Sequence, residues 1–249
     1  ALRQRVDGTN TLCMISSAFI ILVNFCSRQS SIHCFIFNKP IMGSFTMNTA
    51  FVFLVLGTTT LTFARSDGEM KIVWLNETAK KPRCIDGSSA AMYISPGSDS
   101  KKFVIWLEGG GLCESLDDCK DRSTTDLGSS NNYQTTRKIS EGFLSSDPKM
   151  NPDFHNWNRI FVPYCSGDVW DGRAVRAMNP WAAHDERVDD NWSGYFQGHV
   201  VVDGVLNATR DRYGLDSATD VILTGCSAGG IGTFVNCDFV VRLSDCGAM

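Results

Sequence analysis

Near its carboxyl end the sequence reads Gly225-Cys226-Ser227-Ala228-Gly229-Gly230. The run Asp220-Val221-Ile222-Leu223-Thr224 precedes it and a helix-compatible stretch from Ala228 to Arg242 follows. A serine with glycine two residues away on each side, between a strand and a helix, has the spacing of a nucleophile elbow, in which small neighbours allow a sharp turn that pushes the hydroxyl outward. The corresponding chemistry is acyl transfer. The N–H of Ala228, at the start of the helix, has no intrahelical partner and can stabilise a developing oxyanion. The same glycines would also serve a plain strand-to-helix turn. A phosphate loop is a poorer reading, because the Gly-Lys-Ser/Thr ending is absent.

A second glycine cluster, Glu108-Gly109-Gly110-Gly111, follows the apolar run Phe103–Leu107. Glycines after a strand let backbone approach a ligand, and Gly110 and Gly111 are candidates for the other oxyanion donors. Glu108 is expected to be a buried carboxylate that accepts hydrogen bonds from backbone N–H groups rather than a catalytic acid. A serine also needs a base, which in this arrangement follows it in the chain. After Ser227 come Asp238 and Asp245 but no histidine, and His155, His184 and His199 all precede it. Each of those three is expected to be a surface or loop residue. Met249 is accordingly expected not to be the natural end, with the base in a further segment; a degenerate, inactive relative is the alternative.

The elements that must position these groups alternate. Strands are expected over 71–75, 90–94, 103–107, 159–164 and 220–224, and helices over 198–212 and 228–242. Residues 113–158 and 170–192 read as polar loops, the second carrying Trp170, Trp181 and Trp192. Strands separated by helices imply a mostly parallel sheet covered on both faces, in one α/β domain. Ending that sheet after the nucleophile helix leaves an edge strand and apolar faces uncovered.

The amino-terminal part is different. Residues 1–46 have no structural role that the sequence reveals and read as a leader or translated upstream region. Residues 47–64 read as a signal peptide with cleavage after Ala64, which leaves 65–249 as the mature domain. No stretch reads as a stable membrane span. Lys and Arg total 23 against 27 Asp and Glu, a net charge of −4, which gives no footprint for nucleic acid. Ten cysteines without Cys-x-x-Cys pairs argue for an oxidising compartment rather than a zinc site. Past residue 64 the cysteines are Cys84, Cys113, Cys119, Cys165, Cys226, Cys237 and Cys246, an odd number. Sequons at Asn76, Asn191 and Asn207 agree with export.

Several blocks together resemble the pectin acetylesterase and Notum family: Arg83-Cys84-Ile85-Asp86-Gly87-Ser88, Trp106–Cys113, Leu127-Gly128-Ser129-Ser130, Asn151-Pro152-Asp153-Phe154 and the Ser227 hexapeptide. Asn156–Arg159 and Tyr164–Trp170 lean toward the Notum side. The resemblance runs from about Lys71 to Leu243. It implies an α/β-hydrolase fold and a secreted or cell-wall serine carboxylesterase that needs no metal or cofactor. Its substrate would be an acylated polysaccharide or a lipidated protein. It further implies Ser227 as nucleophile, with Gly110, Gly111 and Ala228 at the oxyanion hole. Cys113 pairs with Cys119 and Cys84 with Cys165 on the same grounds, and Cys226 is expected to be a buried free thiol. The competing reading is a secreted, non-catalytic module that holds a polysaccharide or acyl chain in the same cleft, with the three tryptophans as stacking platforms.

Overall fold

The computed structural model describes residues 20–24, 33–35, 68–140, 142–180 and 191–245. The expected signal peptide, Trp181, His184 and Cys246 lie outside these residues. In chain order the strands are β1 (Ile20–Asn24), β2 (His33–Phe35), β3 (Glu69–Trp74), β4 (Ala91–Ser95), β5 (Asp99–Leu107), β6 (Thr136–Lys138), β7 (Trp157–Val162) and β8 (Asp220–Gly225). The helices are α1 (Leu116–Arg122), α2 (Gly198–Tyr213) and α3 (Ala228–Asp245). All eight strands form one sheet in the order β2-β1-β8-β5-β7-β4-β3-β6.

The centre is parallel: β5 lies between β7 and β8, with Leu107 level with both Val162 and Gly225. Apart from Asn158 and Arg159 of β7 and Thr224 of β8, the buried positions of these strands are apolar, as expected of strands covered on both faces. Alternation sorts them. Phe103, Ile105, Leu107, Ile160, Val162, Val221 and Leu223 join Val201, Val205 and Leu206 of α2 in one core. Val104, Trp106, Phe161 and Ile222 face the other side with Tyr93 and Leu144, and Phe143 and Phe154 pack on them. Each such side chain contributes on the order of 2 kcal/mol by leaving water.

The sheet is mixed rather than mostly parallel. β3, β4 and β6 are antiparallel to their neighbours. No helix separates β3 from β4, and without a crossover two consecutive strands can pair only antiparallel. The segment 113–158 is also more ordered than its composition implies, holding α1 and β6. Ser115 caps α1 by accepting the N–H of Asp118 at 3.2 Å.

At the other edge, β1 runs antiparallel along β8, from Ile20 beside Thr224 to Asn24 beside Asp220, and β2 pairs with β1. The edge expected to lie open is therefore paired, by residues for which sequence reasoning has no structural role. An unpaired strand edge is a template for any β-prone run, and Ile20-Ile21-Leu22-Val23 is one. Among the described residues Ile231, Phe234 and Val235 of α3 remain exposed.

Candidate active site

Both halves of the site leave the carboxyl ends of adjacent parallel strands, where α/β sheets bind ligands. From β8 the chain turns through Gly225 and Cys226 to Ser227, whose φ is +57°, and enters α3 at Ala228. A left-handed residue with a side chain costs about 1–2 kcal/mol and needs support. Support comes from the Gly229 N–H to Cys226 O at 2.9 Å and the Ile231 N–H to Ser227 O at 3.1 Å. Ser227 is exposed while Ala228 is buried. The turn is pressed so closely on β5 that a Cβ at Gly225 would stand 2.6 Å from the Leu107 carbonyl oxygen.

The loop after β5 lies against this turn. A Cβ on Gly109 would stand 2.6 Å from the Cys226 carbonyl oxygen, and one on Gly110 would meet Leu127 and Tyr164 at 2.8 Å. The N–H groups of Gly110, Gly111 and Ala228 make no hydrogen bond among the described residues. Two of these donors follow Gly109, which touches the Ser227 turn, and the third follows Ser227 itself.

Long-range bonds hold the loop. Glu108 is half-buried rather than buried; its Oε2 accepts the Tyr164 N–H at 2.9 Å, and its Oε1 lies 3.6 Å from Arg137. The Glu108 carbonyl accepts the indole N–H of Trp170 at 3.1 Å. Arg122 of α1 donates to Gly110 O at 2.7 Å and Leu112 O at 3.4 Å.

Trp170 is fully buried, with φ of +70°, and Val169 before it has φ of +50°. Asp168 fixes this bend: Oδ1 accepts from the Ser166 hydroxyl at 2.6 Å and the Trp170 N–H at 3.1 Å, and Oδ2 accepts the Gly198 N–H at 2.8 Å. Asp168 thus supplies the amino-terminal carboxylate that α2, with no side-chain cap of its own, lacks. Burial pushes the Asp168 carboxyl upward, against those hydrogen bonds. Burial likewise raises the Tyr164 hydroxyl, which accepts the Val169 N–H at 2.7 Å.

Both expected disulfides are present. Cys84–Cys165 ties the segment before β4 to the end of β7, and Cys113–Cys119 ties the loop after β5 to α1. Cys226 is not a free thiol: it is disulfide-bonded, and Cys237 is the buried free cysteine among the described residues.

Of the histidines, His155 is half-buried, with Nδ1 at 3.1 Å from Asn151 O. His199 is a buried residue of α2, not a surface or loop residue. Asn236 spends its amide hydrogens on Trp170 O and Gly232 O, so its Oδ1, 2.7 Å from His199 Nδ1, must accept a proton that Nδ1 carries. That bond ties the His199 ring to Asn236, nine residues beyond Ser227 in the chain.

Trp170, enclosed on all sides, cannot stack on a sugar. Asn76 and Asn191 are exposed. Asn207 sits inside α2, bonded to Asp203 and Arg210, and Thr209 of the same sequon is buried. No helix among the described residues is long and apolar enough to cross a membrane. No cluster of three or more His, Cys, Asp or Glu among them could hold a metal ion.

The sheet, the elbow and the facing glycine loop define an α/β-hydrolase-type fold. The Pectinacetylesterase family model matches residues 63–247, and the chain belongs to that family. It is 36% identical over 158 residues to pectin acetylesterase 4 of Arabidopsis thaliana, across 63% of this chain and 36% of that protein. It is 36% identical over 182 residues to palmitoleoyl-protein carboxylesterase notum1 of Xenopus laevis, across 72% of this chain and 34% of that protein. The solved Wnt deacylase Notum from Drosophila superposes with a TM-score of 0.58 at 30% identity, covering 69% of this chain and 47% of that one. The chain spans about a third of the length of these curated relatives.

Proposed function

We propose that the whole protein is a secreted serine carboxylesterase. Ser227 Oγ attacks the ester carbonyl as a base takes its proton, and the tetrahedral oxyanion is held by the N–H groups of Gly110, Gly111 and Ala228. Collapse returns the proton to the leaving alcohol and leaves the acyl group on Ser227, and water then releases it. The observation that carries this reading is the exposed Ser227 at φ +57° beside a loop whose amides are unspent. The base and its acid partner belong to the part of the whole protein that the relatives carry outside the matched stretch. This 249-residue chain alone therefore hydrolyses little or nothing.

The substrate is an O-acyl ester: an acetyl group on a pectin-like polysaccharide, as the name of one relative says, or a fatty acyl group on a protein, as the other's says. The net negative charge opposes a polygalacturonate and leaves a neutral or lipidated substrate unhindered. Two disulfides support an extracellular location. Labelling of the whole protein by a fluorophosphonate, which requires an activated serine, tests the reading. Labelling lost in Ser227→Ala supports it, and labelling that persists in that variant overturns it. Binding of an acylated ligand without turnover or labelling would instead establish the non-catalytic module, which the enclosure of Trp170 disfavours.

A further inference from the structure

Resting on the esterase reading, we infer that Arg122 is a positioning residue that aims the Gly111 N–H of the oxyanion hole. The described chain contains no cis peptide bond, so the C=O of Gly110 and the N–H of Gly111, which share one planar unit, point in opposite directions. Whatever holds the carbonyl therefore sets where the N–H aims. Arg122 Nη1 holds that carbonyl at 2.7 Å, and Nη2 reaches a second carbonyl of the loop, Leu112 O, at 3.4 Å.

Glycines confer no rigidity on their own, and Gly111 at φ +78° could rotate its peptide at little cost. A planar guanidinium bound to two carbonyls of one loop removes that freedom in a way a point-like ammonium cannot. The bond is charge-assisted, and the cation draws electron density through the peptide, which makes the opposite N–H a better donor to an anion.

The guanidinium is itself held in place. Cys119, three residues before Arg122 on α1, is disulfide-bonded to Cys113, at the far end of the loop being held. The Cys113 N–H donates to Gly167 O at 2.9 Å, and Leu112 bridges Asp168. A Cβ on Gly167 would stand 3.4 Å from Arg122 Cδ, so the stem of the arginine is confined as well. Arg122 Nε is buried with no partner, a polar atom left unsatisfied where the side chain is committed to the two carbonyls.

The test uses the whole protein, a p-nitrophenyl ester, and the variants Arg122→Ala, Arg122→Lys and Ser227→Ala, each checked for cooperative thermal unfolding. Arg122→Ala is expected to lower kcat by about 10- to 100-fold, within the range for loss of one oxyanion donor, with KM changed less than two-fold and the pH profile of kcat unmoved. The rate of phosphonylation by a fluorophosphonate, whose P–O group occupies the same hole, should fall in parallel. Arg122→Lys keeps charge and stem but not the fork, and should recover only part of the loss. If Arg122→Ala does not fold, Arg122→Lys decides. A folded variant with kcat within two-fold of the parent overturns the inference, as does a loss confined to KM or to the unfolding midpoint. Undiminished turnover in Ser227→Ala would instead remove the esterase reading itself, so the two failures are distinguishable.

Discussion

The hydrogen atom of Gly109 that a methyl group would replace points at Ser227: a Cβ there would stand 3.1 Å from the Ser227 Cβ and 2.6 Å from the Cys226 carbonyl oxygen. The first glycine of the loop thus lets two turns from neighbouring strands touch. Gly109→Ala is expected to force them apart, costing about 1–3 kcal/mol of stability. Esterase turnover of the whole protein should fall at least 10-fold, measured together with the thermal midpoint. Full activity at an unchanged midpoint would mean that the turns need not meet.

Ser227 carries its side chain at a φ that favours glycine. Ser227→Gly is expected to abolish turnover and yet leave the protein at least as stable as the parent, by up to about 1 kcal/mol. Urea denaturation midpoints compare the two, and a marked loss of stability would show that the hydroxyl supports the fold.

The disulfides Cys84–Cys165 and Cys113–Cys119 should separate stability from activity. Cys84–Cys165 spans 81 residues and Cys113–Cys119 spans 6, so the loss of chain entropy in the unfolded state assigns about 4.5 kcal/mol to the first and about 2 to the second. Cys84→Ala with Cys165→Ala should depress the unfolding midpoint more. Cys113→Ala with Cys119→Ala should depress kcat more, because it frees one end of the oxyanion loop. Equal effects on both quantities would contradict this division.

His199 should make stability depend on pH. Burial lowers its pKa first, Arg173 and Lys80 add to the lowering, and the Asn236 bond and Asp203 oppose it. The folded protein then takes up the proton less readily than the unfolded chain. Its contribution is fully present above about pH 6.5, the unfolded value, and is lost as pH falls through the lower folded value. Urea midpoints between pH 8 and pH 5 should decline less in His199→Gln than in the parent.

The strands at 103–107, 159–164 and 220–224 were legible because a strand buried on both faces must be a continuous apolar run, and Ser227 because a sharp turn demands small neighbours at fixed spacing. What stayed hidden depends on contacts between distant residues. Asp168 reaches 30 residues ahead to Gly198, and Trp170 bonds Glu108 across 62. Arg122, 12 residues from Gly110, sits in a polar stretch whose composition gives no sign that a helix lies there. Cys226 looks like a small core residue from its neighbours alone, and its bonded state depends on what folds against it. The antiparallel flank was missed because direction is set by the absence of a crossover helix, and 75–90 shows that absence only weakly.

The level pairing of Leu107 with Gly225 acts as a ruler for the proposed reaction. Both the amides and the hydroxyl are measured from that rung, and one step of slippage displaces them by about 3.3 Å, a full hydrogen-bond length. Loops elsewhere in the molecule can grow or shrink without altering this spacing. A single residue deleted from either strand cannot be absorbed in the same way.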